Sequence, residues 1–323
     1  TQLVDDLFNS LLQRGFKLTR EGSFSEYLGI QYVKTVDGHL HLTQQGLINK
    51  ILDSMNMKHC NANRLPASRD PLGMDPEGAP FEGPWSYPSI VGMLLYLTTN
   101  TRPDIAFAVS QVARFTYAPK QTHAVAVKTI VRYLKGTIDK GTIVKRPQQM
   151  KLETYCDADF CGLYRHDPDQ SITSAKSRSG YIIKLAGCPL IWKSQLMHSI
   201  ALSTAEAEYY SLSLAMRALL PLRALLLEIT THVRMPPELR VNSNTFMTTV
   251  HEDNTAALSL AVDQRITSRT RHYHVRWHFF WTAIQNSQVE VVYVETIKQE
   301  ADYLTKGMCV NGFERIRRLV QGW

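Results

Sequence analysis

The sequence predicts a mixed α/β protein made of three consecutive regions. Apolar residues recur at helical spacing in the first two regions, whereas the third alternates strand-like and helix-like stretches. Segments without periodicity, rich in turn-forming residues, separate the regions at 62–84 and 136–147. We predict regions 1–60, 61–147 and 148–323, because a chain of 323 residues exceeds the roughly 100–200 residues of one typical domain.

The first region has the pattern of a helix, a β-hairpin and a second helix. Leucines recur at helical spacing before residue 13. Apolar runs at 27–32 and 39–42 then flank Asp37-Gly38, a dipeptide that favours a hairpin turn. Helical spacing returns at Ile48, Ile51, Leu52 and Met55.

The second region, from Tyr87 to about Gly136, is predicted to be helical. Pro88 and Pro103 suit first helical turns, because the N–H that proline lacks has no partner there. The third region alternates strands and helices. Its predicted strands are 152–157, 180–185, 189–193, 247–251 and 289–295, and its predicted helices are 204–229, 255–261, 273–284 and further helices at the end.

The net charge, the lengths of the apolar runs and the number of cysteines indicate the general class of this protein. The formal charge of +7 and the pI of about 9.1 favour a polyanionic partner. No apolar run reaches the roughly 20 residues that span a bilayer, so we expect an intracellular, soluble protein without a membrane partner. An odd number of cysteines without a CxxC pair argues against a disulfide framework and a thiolate zinc site, and we expect reduced thiols.

Four acids in the third region share one context, since each lies where a strand ends or a helix begins: Asp157, Glu208, Asp253 and Asp302. Open α/β sheets place ligands at such positions. Each acid alone is more typical of a helix cap or a solvated strand end, so only the set is informative. Carboxylates gathered from separate elements repel one another unless a cation neutralises them, and oxygen ligands suit Mg²⁺ or Mn²⁺. Two such ions, about 3.5–4 Å apart, can support attack of water on a phosphodiester.

The motifs around these acids, and others upstream, occur in a specific order. In the third region they are Tyr-Cys-Asp157-Ala-Asp159-Phe-Cys-Gly, Ser-Arg-Ser-Gly-Tyr181, Leu202-Ser-Thr-Ala-Glu206-Ala-Glu208-Tyr, Glu252-Asp253-Asn254-Thr-Ala-Ala and Gln299-Glu-Ala-Asp302-Tyr-Leu-Thr-Lys306. Upstream they are Tyr27-Leu-Gly-Ile30, Leu42-Thr-Gln44, the run from Tyr87 to Leu97, Thr101-Arg-Pro-Asp-Ile105 and Arg132-Tyr-Leu-Lys-Gly-Thr137. Together they resemble the C-terminal part of the Pol polyprotein of copia-type (Pseudoviridae-like) LTR retrotransposons, over nearly the whole chain.

The resemblance implies a fold and an activity. The fold would be a ribonuclease H-like mixed five-stranded sheet with flanking helices, preceded by a reverse-transcriptase palm remnant and a helical thumb or connection region. Two Mg²⁺ (or Mn²⁺) ions would be held by the four acids, and the family's glutamate also contacts a 2′-hydroxyl. The substrate would therefore be the RNA strand of an RNA–DNA hybrid, because only RNA carries that group. The resemblance also implies that the upstream reverse-transcriptase portion is a partner and that no small-molecule cofactor is used. The site of action would be cytoplasmic virus-like particles, with access to the nucleus.

Two acids compete with their neighbours for these roles, Glu206 with Glu208 and Asp159 with Asp157. We favour Glu208, because aromatic and apolar residues follow it as in the family's motif. Glu206 instead fits a capping box that bonds the backbone of Ser203. Residues 296–301 lack the histidine that many cellular ribonucleases H have there, so proton transfer or product release could be slower.

The pair Asp5-Asp6 resembles the acids of a polymerase site, but it opens a helix, where the helix dipole favours acids. We therefore predict that this chain carries no polymerase active site and synthesises no DNA. The alternative function is a catalytically inactive nucleic-acid-binding or assembly module of a retroelement polyprotein. A decayed fragment, whose apolar surface normally packs on the absent polymerase, is a third hypothesis.

Basic residues supply the candidate nucleic-acid contacts, which are Arg265, Arg269, Arg271, Arg276 and Lys306. We interpret the four arginines, with the neighbouring His272, His274 and His278, as a phosphate-facing stripe rather than as a zinc site. A zinc site at these histidines lacks an obvious fourth ligand. The basic run 120–151 is either solvated surface or a further hybrid contact. Trp192, Trp277 and Trp281 are more typical of core than of base stacking.

Overall fold

A computed structural model describes residues 2–19, 25–164, 166–168, 171–233, 236–264, 273 and 275–323. The helices are α1 (Gln2–Gln13), α2 (Gln45–Ser54), α3 (Tyr87–Asn100), α4 (Ala106–Ala113), α5 (Gln121–Lys135), α6 (Thr204–His232), α7 (Thr255–Asp263), α8 (Trp281–Gln285), α9 (Asp302–Thr305) and α10 (Val310–Gln321). The strands are β1 (Glu26–Tyr27), β2 (Ile30–Lys34), β3 (Leu40–Thr43), β4 (Thr142–Val144), β5 (Lys151–Asp159), β6 (Arg178–Leu185), β7 (Cys188–Leu196), β8 (Met247–Glu252) and β9 (Glu290–Tyr293). Within these ranges no helix is both long and apolar enough to cross a membrane.

The third region forms a five-stranded mixed sheet in the order β7-β6-β5-β8-β9. The neighbours β7, β6 and β5 pair in antiparallel fashion, whereas β5, β8 and β9 run parallel. The mixed five-stranded sheet with flanking helices is therefore confirmed. Because β5 and β8 are parallel neighbours, their carboxyl ends meet at one edge of the sheet.

The two faces of this sheet pack into different hydrophobic cores. On one face, Leu152 and Cys156 of β5 pack with Leu212 and Met216 of the long helix α6. On the other face, Ile182 of β6 belongs to a core shared with the second region and with the C-terminal helix α10. The sheet therefore lies between two helical layers, and the division into regions 1–60, 61–147 and 148–323 stays a prediction.

The N-terminal hairpin joins a second sheet in the order β1-β2-β3-β4. The predicted hairpin is confirmed, with Gly38 at a φ of 76° in the turn between β2 and β3. Strand β4, however, falls within the predicted break at 136–147, where it pairs antiparallel with β3. Three residues are too short for a periodic signal, and their partner strand lies about a hundred residues upstream, so local patterning could not reveal this strand.

The predicted helix 273–284 is confirmed only for its last four residues among those that the structure describes. Val275–His278 form a 3-10 turn, and α8 begins only at Trp281. Aromatic side chains have modest helix propensity, and here two of them bury separately: Trp277 packs edge-on against Tyr210, and Phe280 lies beside Tyr209. The expectation that the tryptophans belong to the core is confirmed, since Trp192, Trp277 and Trp281 all pack against buried apolar residues.

A buried ion pair links the second region to the C-terminal helix. The guanidinium of Arg102 donates to the carboxylate of Asp104, with both side chains 0% exposed. Arg102 also donates to the carbonyl and hydroxyl oxygens of Thr137, while Asp104 accepts from the Tyr133 hydroxyl and from Gln321 on α10. The hydrogen-bonding groups of both charges are thus engaged inside the protein, as burial of an ion pair requires.

Replacing Asp104 with Asn should strongly destabilise the chain, because the Arg102 guanidinium would then be buried without a counter-charge. We expect the free energy of unfolding in urea to fall by about 3–5 kcal/mol. Asp139→Asn is the matched control, since the Asp139–Lys140 pair is exposed and such pairs contribute at most about 1 kcal/mol. Equal effects of the two substitutions would contradict the prediction.

Candidate metal centre

Three of the four predicted acids converge at one edge of the five-stranded sheet. Asp157 lies near the end of β5, Glu208 in the second turn of α6, and Asp253 directly after β8. One carboxylate oxygen from each lies within 4.8 Å of those of the other two. Residues far apart in sequence thus form a compact group of oxygen ligands, the chemistry that Mg²⁺ and Mn²⁺ prefer.

Asp157 is held by neighbours on three sides. Its side chain is 2% exposed, and the Thr305 hydroxyl donates to its Oδ2 atom. Ser211 of α6 donates to its backbone carbonyl at 2.8 Å, which ties β5 to α6 at this point. Gln299 donates to the carbonyl of Cys156, the residue before it, at 2.9 Å. Both the strand and the carboxylate are therefore fixed in place.

The structure distinguishes Glu208 from its rival Glu206. Glu206 lies at the start of α6, where its backbone N–H donates to Ser203 Oγ as the capping box predicted. Its carboxylate accepts at 2.7 Å from the N–H of Leu202, rather than from that of Ser203 as predicted. Glu208 joins Asp157 and Asp253, and its Oε2 atom is buried without a hydrogen-bond partner among the described residues. An orphaned carboxylate oxygen that faces other carboxylates is what a cation site requires.

Asp302, the fourth predicted acid, begins α9 and is joined to the group through Lys306. Its Oδ1 atom lies 2.8 Å from the Lys306 ammonium, which is also 3.9 Å from Asp157 Oδ2. Asp159, the rival of Asp157, lies two residues further along β5 and is not a member of the three-acid group. Lys306 therefore contacts the acids themselves, and its predicted role in nucleic-acid binding stays a prediction.

Burial and mutual repulsion shift the ionisation of this site. Burial raises the pKa of Asp157 to about 7, with Asp302 and Asp253 adding to the shift and Lys306 opposing it. Burial, Asp157 and other nearby acids also raise the pKa of Glu208. Burial disfavours the Lys306 ammonium, but the carboxylates of Asp157 and Asp302 outweigh this effect and raise the pKa of Lys306. Negative charge is therefore costly here, as expected where a cation belongs.

Glu252 is a further acid of the site that the sequence analysis did not assign. Its side chain is 0% exposed and accepts from the Asn254 N–H at 3.0 Å and from the Cys156 thiol at 3.4 Å. Burial raises the pKa of Glu252 to about 8. The sequence signal that could have identified Glu252 is the alternation of residues in β8, because Thr248, Val250 and Glu252 share one face of the strand, and this face is buried.

The predicted basic stripe falls largely outside the described residues, which exclude Arg265, Arg269, Arg271, His272, His274 and the side chain of Arg276. His278 lies within them, and its Nδ1 atom is 2.7 Å from the Tyr209 hydroxyl. In the basic run 120–151, Lys120 donates to the Gly78 carbonyl and Lys151 pairs with Glu153. These two charges have structural partners. All five cysteines are free.

Comparison with known proteins finds homologues over nearly the whole chain. The chain is 31% identical over 312 residues to the retrovirus-related Pol polyprotein from transposon RE1 of Arabidopsis thaliana, a match covering 97% of this chain and 20% of that protein. It is 30% identical over 320 residues to RE2 of the same plant (99% and 20%) and 30% identical over 318 residues to TNT 1-94 of Nicotiana tabacum (96% and 22%). The homologues of this chain are therefore Pol polyproteins of copia-type transposons, and the chain spans about a fifth of the length of these relatives. No protein-family model matches the chain.

Solved structures give weaker likenesses. The N-terminal RNase H domain of rv2228c from Mycobacterium tuberculosis, solved as a fusion with maltose-binding protein, aligns with a TM-score of 0.31 and 12% identity over 52% of this chain and 97% of that one. A foamy viral protease-reverse transcriptase in complex with dsDNA aligns with a TM-score of 0.42 and 13% identity over 91% and 51%. Neither score reaches 0.5, so the description of the fold rests on the strand order itself.

The stability of the chain in EDTA should fall as the pH rises. In the folded chain the pKa values of Asp157 and Glu252, about 7 and about 8, lie above their ordinary values of 3.8 and 4.5. At pH values between the ordinary and the raised pKa values, the folded chain binds more protons than the unfolded chain, so the free energy of unfolding decreases as the pH rises. We expect a loss on the order of 1–3 kcal/mol from about pH 5.5 to about pH 8, measured by urea unfolding.

Two controls isolate the site as the cause of this loss. Asp157→Asn removes one of the titrating groups, so its loss over the same pH range should be smaller. Saturating Mg²⁺ should also reduce the loss, because a bound cation favours the ionised carboxylates. A free energy of unfolding that increases with pH in EDTA would count against the described electrostatics.

Proposed function

We propose that this chain is the ribonuclease H of a retrotransposon Pol polyprotein and hydrolyses the RNA strand of RNA–DNA hybrids with two divalent ions. The observation that carries this proposal is the convergence of Asp157, Glu208 and Asp253 within 4.8 Å at one edge of a mixed five-stranded sheet. The similarity of the chain to Pol polyproteins supports a retroelement context, in which the remaining reverse-transcriptase portion is a partner. Its site of action would be an intracellular particle.

The residues present fit Mg²⁺ or Mn²⁺. Asp157, Glu208 and Asp253 offer oxygen ligands, Asp302 lies beside them, and Glu208 Oε2 is buried without a hydrogen-bond partner among the described residues. Bound divalent ions supply Lewis acidity that activates water and stabilises the leaving oxygen. In the overall reaction the water oxygen bonds to phosphorus and the bond from phosphorus to the 3′ oxygen breaks. The water loses a proton and the 3′ oxygen gains one, which leaves a 3′-hydroxyl and a 5′-phosphate.

Cleavage of a labelled RNA–DNA hybrid tests this proposal directly. In Mg²⁺ or Mn²⁺ we expect the wild-type chain to cut the RNA strand, and Asp157→Asn or Asp253→Asn to reduce the rate by about 1,000-fold, because cation binding contributes several kcal/mol to such reactions. Asp139→Asn, which removes an exposed carboxylate on another part of the surface, is the control and should retain full activity. Single-stranded RNA and duplex DNA should remain intact.

Binding without cutting by the folded wild-type chain would contradict the proposal that this chain cuts hybrids by itself. It would favour instead the inactive nucleic-acid-binding or assembly module. A second preparation that includes the upstream reverse-transcriptase portion would then show whether cleavage needs that partner.

The glutamates of α6 provide a sharper test of the site. Glu208→Gln should abolish cleavage, because Glu208 faces Asp157 and Asp253. Glu206→Gln should retain cleavage and lower the free energy of unfolding by about 1 kcal/mol, because its carboxylate accepts from the Leu202 N–H at the helix start. Cleavage rates and urea unfolding of the two variants decide the assignment, and a reversed pattern would make Glu206 the ligand.

A further inference from the structure

We propose that Thr305 is a positioning residue of the metal centre, which holds the Asp157 carboxylate in the orientation that binds a divalent cation. This inference rests on the proposed metal site. Thr305 is the last residue of α9 and is 0% exposed. Its hydroxyl donates to Asp157 Oδ2, across 148 positions of sequence.

The hydroxyl of Thr305 has two acceptors within reach but a single hydrogen. Its Oγ1 atom bonds Asp157 Oδ2 and also lies 3.1 Å from the carbonyl oxygen of Asp302, one turn earlier in α9. A carboxylate is a stronger acceptor than a neutral carbonyl, so the hydrogen is directed to Asp157.

This contact leaves the two oxygens of Asp157 in different environments. Oδ2 faces α9, because it accepts from Thr305 and is 3.9 Å from the Lys306 ammonium. The bond fixes the rotation of the carboxylate, so that Oδ1 is left for a cation shared with Glu208 and Asp253. Hydrogen bonds that orient metal ligands typically change metal affinity by about 10- to 100-fold when they are lost.

Gly180 makes room for this contact. It lies directly opposite Asp157 in the pairing of β5 with β6. A Cβ atom at this glycine would lie 2.7 Å from Thr305 Cγ2 and 2.8 Å from Leu304 Cβ. The absence of a side chain at residue 180 is therefore what allows α9 to reach the carboxylate.

Calorimetric titration of Mn²⁺ into the full chain tests the inference without relying on cleavage. Thr305→Val keeps the shape but removes the hydroxyl, and we expect it to weaken Mn²⁺ binding by about 10- to 100-fold. Thr305→Ser keeps the hydroxyl and should bind within about threefold of wild type, since the donor is retained. Thr154→Val is the matched control, because Thr154 is 0% exposed on the same strand as Asp157 and its hydroxyl has no hydrogen-bond partner among the described residues.

The outcomes distinguish a positioning role of the Thr305 hydroxyl from a packing role of the Thr305 side chain. Wild-type affinity in Thr305→Val, or equal weakening in Thr305→Ser and Thr305→Val, would overturn the inference, as would a wild-type chain that binds no Mn²⁺. If Thr305→Val does not fold, Gly180→Ala tests the inference instead, because the added Cβ atom would crowd Thr305. Unchanged Mn²⁺ affinity in Gly180→Ala would overturn the inference. A wild-type chain that binds Mn²⁺ but leaves RNA–DNA hybrids intact would remove the proposed nuclease while the comparison of valine with serine still stands.

Discussion

The repulsion among buried carboxylates is the constraint on which the rest of the site depends. Asp157, Glu208 and Glu252 are all less than a tenth exposed, and a nearby acid adds to the unfavourable effect of burial on each of them. Such a group persists only where donors and cations offset the cost. The Asn254 N–H and the Lys306 ammonium provide part of this compensation. The remaining negative charge is unfavourable for the fold, which supports the divalent-cation site proposed at this edge of the sheet.

The elements that hold these carboxylates, β5 and α9, pack into the two different hydrophobic cores. Asp157 follows Cys156, which packs with α6, whereas Tyr303 and Leu304 of α9 pack with the second region and α10. The Arg102–Asp104 pair secures that second core through Gln321 of α10. The relative positions of β5 and α9, and hence of Asp157 and Asp302, therefore depend on residues far outside the five-stranded sheet.

Local patterning predicted the elements that carry the acids, and non-local packing explains what it missed. Period-two and helical spacing placed β5, β8 and α6 within a few residues of their ends, and the capping box separated Glu206 from Glu208. These features depend on neighbours in sequence. Strand β4 depends on its pairing with β3, and the contact of Lys306 with Asp157 joins elements 149 positions apart, so neither leaves a local signal.

The segment before Asp302, which lacks the histidine that many cellular ribonucleases H have there, packs against the five-stranded sheet. Residues 296–301 contain no histidine, and two of their polar side chains, those of Gln299 and Glu300, bond groups of β5 and β6. Gln299 donates to the Cys156 carbonyl, and the carboxylate of Glu300 pairs at 2.8 Å with Lys184, which is itself buried on β6. These bonds hold the segment against β5 and β6. Because Gln299 and Glu300 are committed to these contacts, they hold the backbone next to Asp157 and immediately before Asp302.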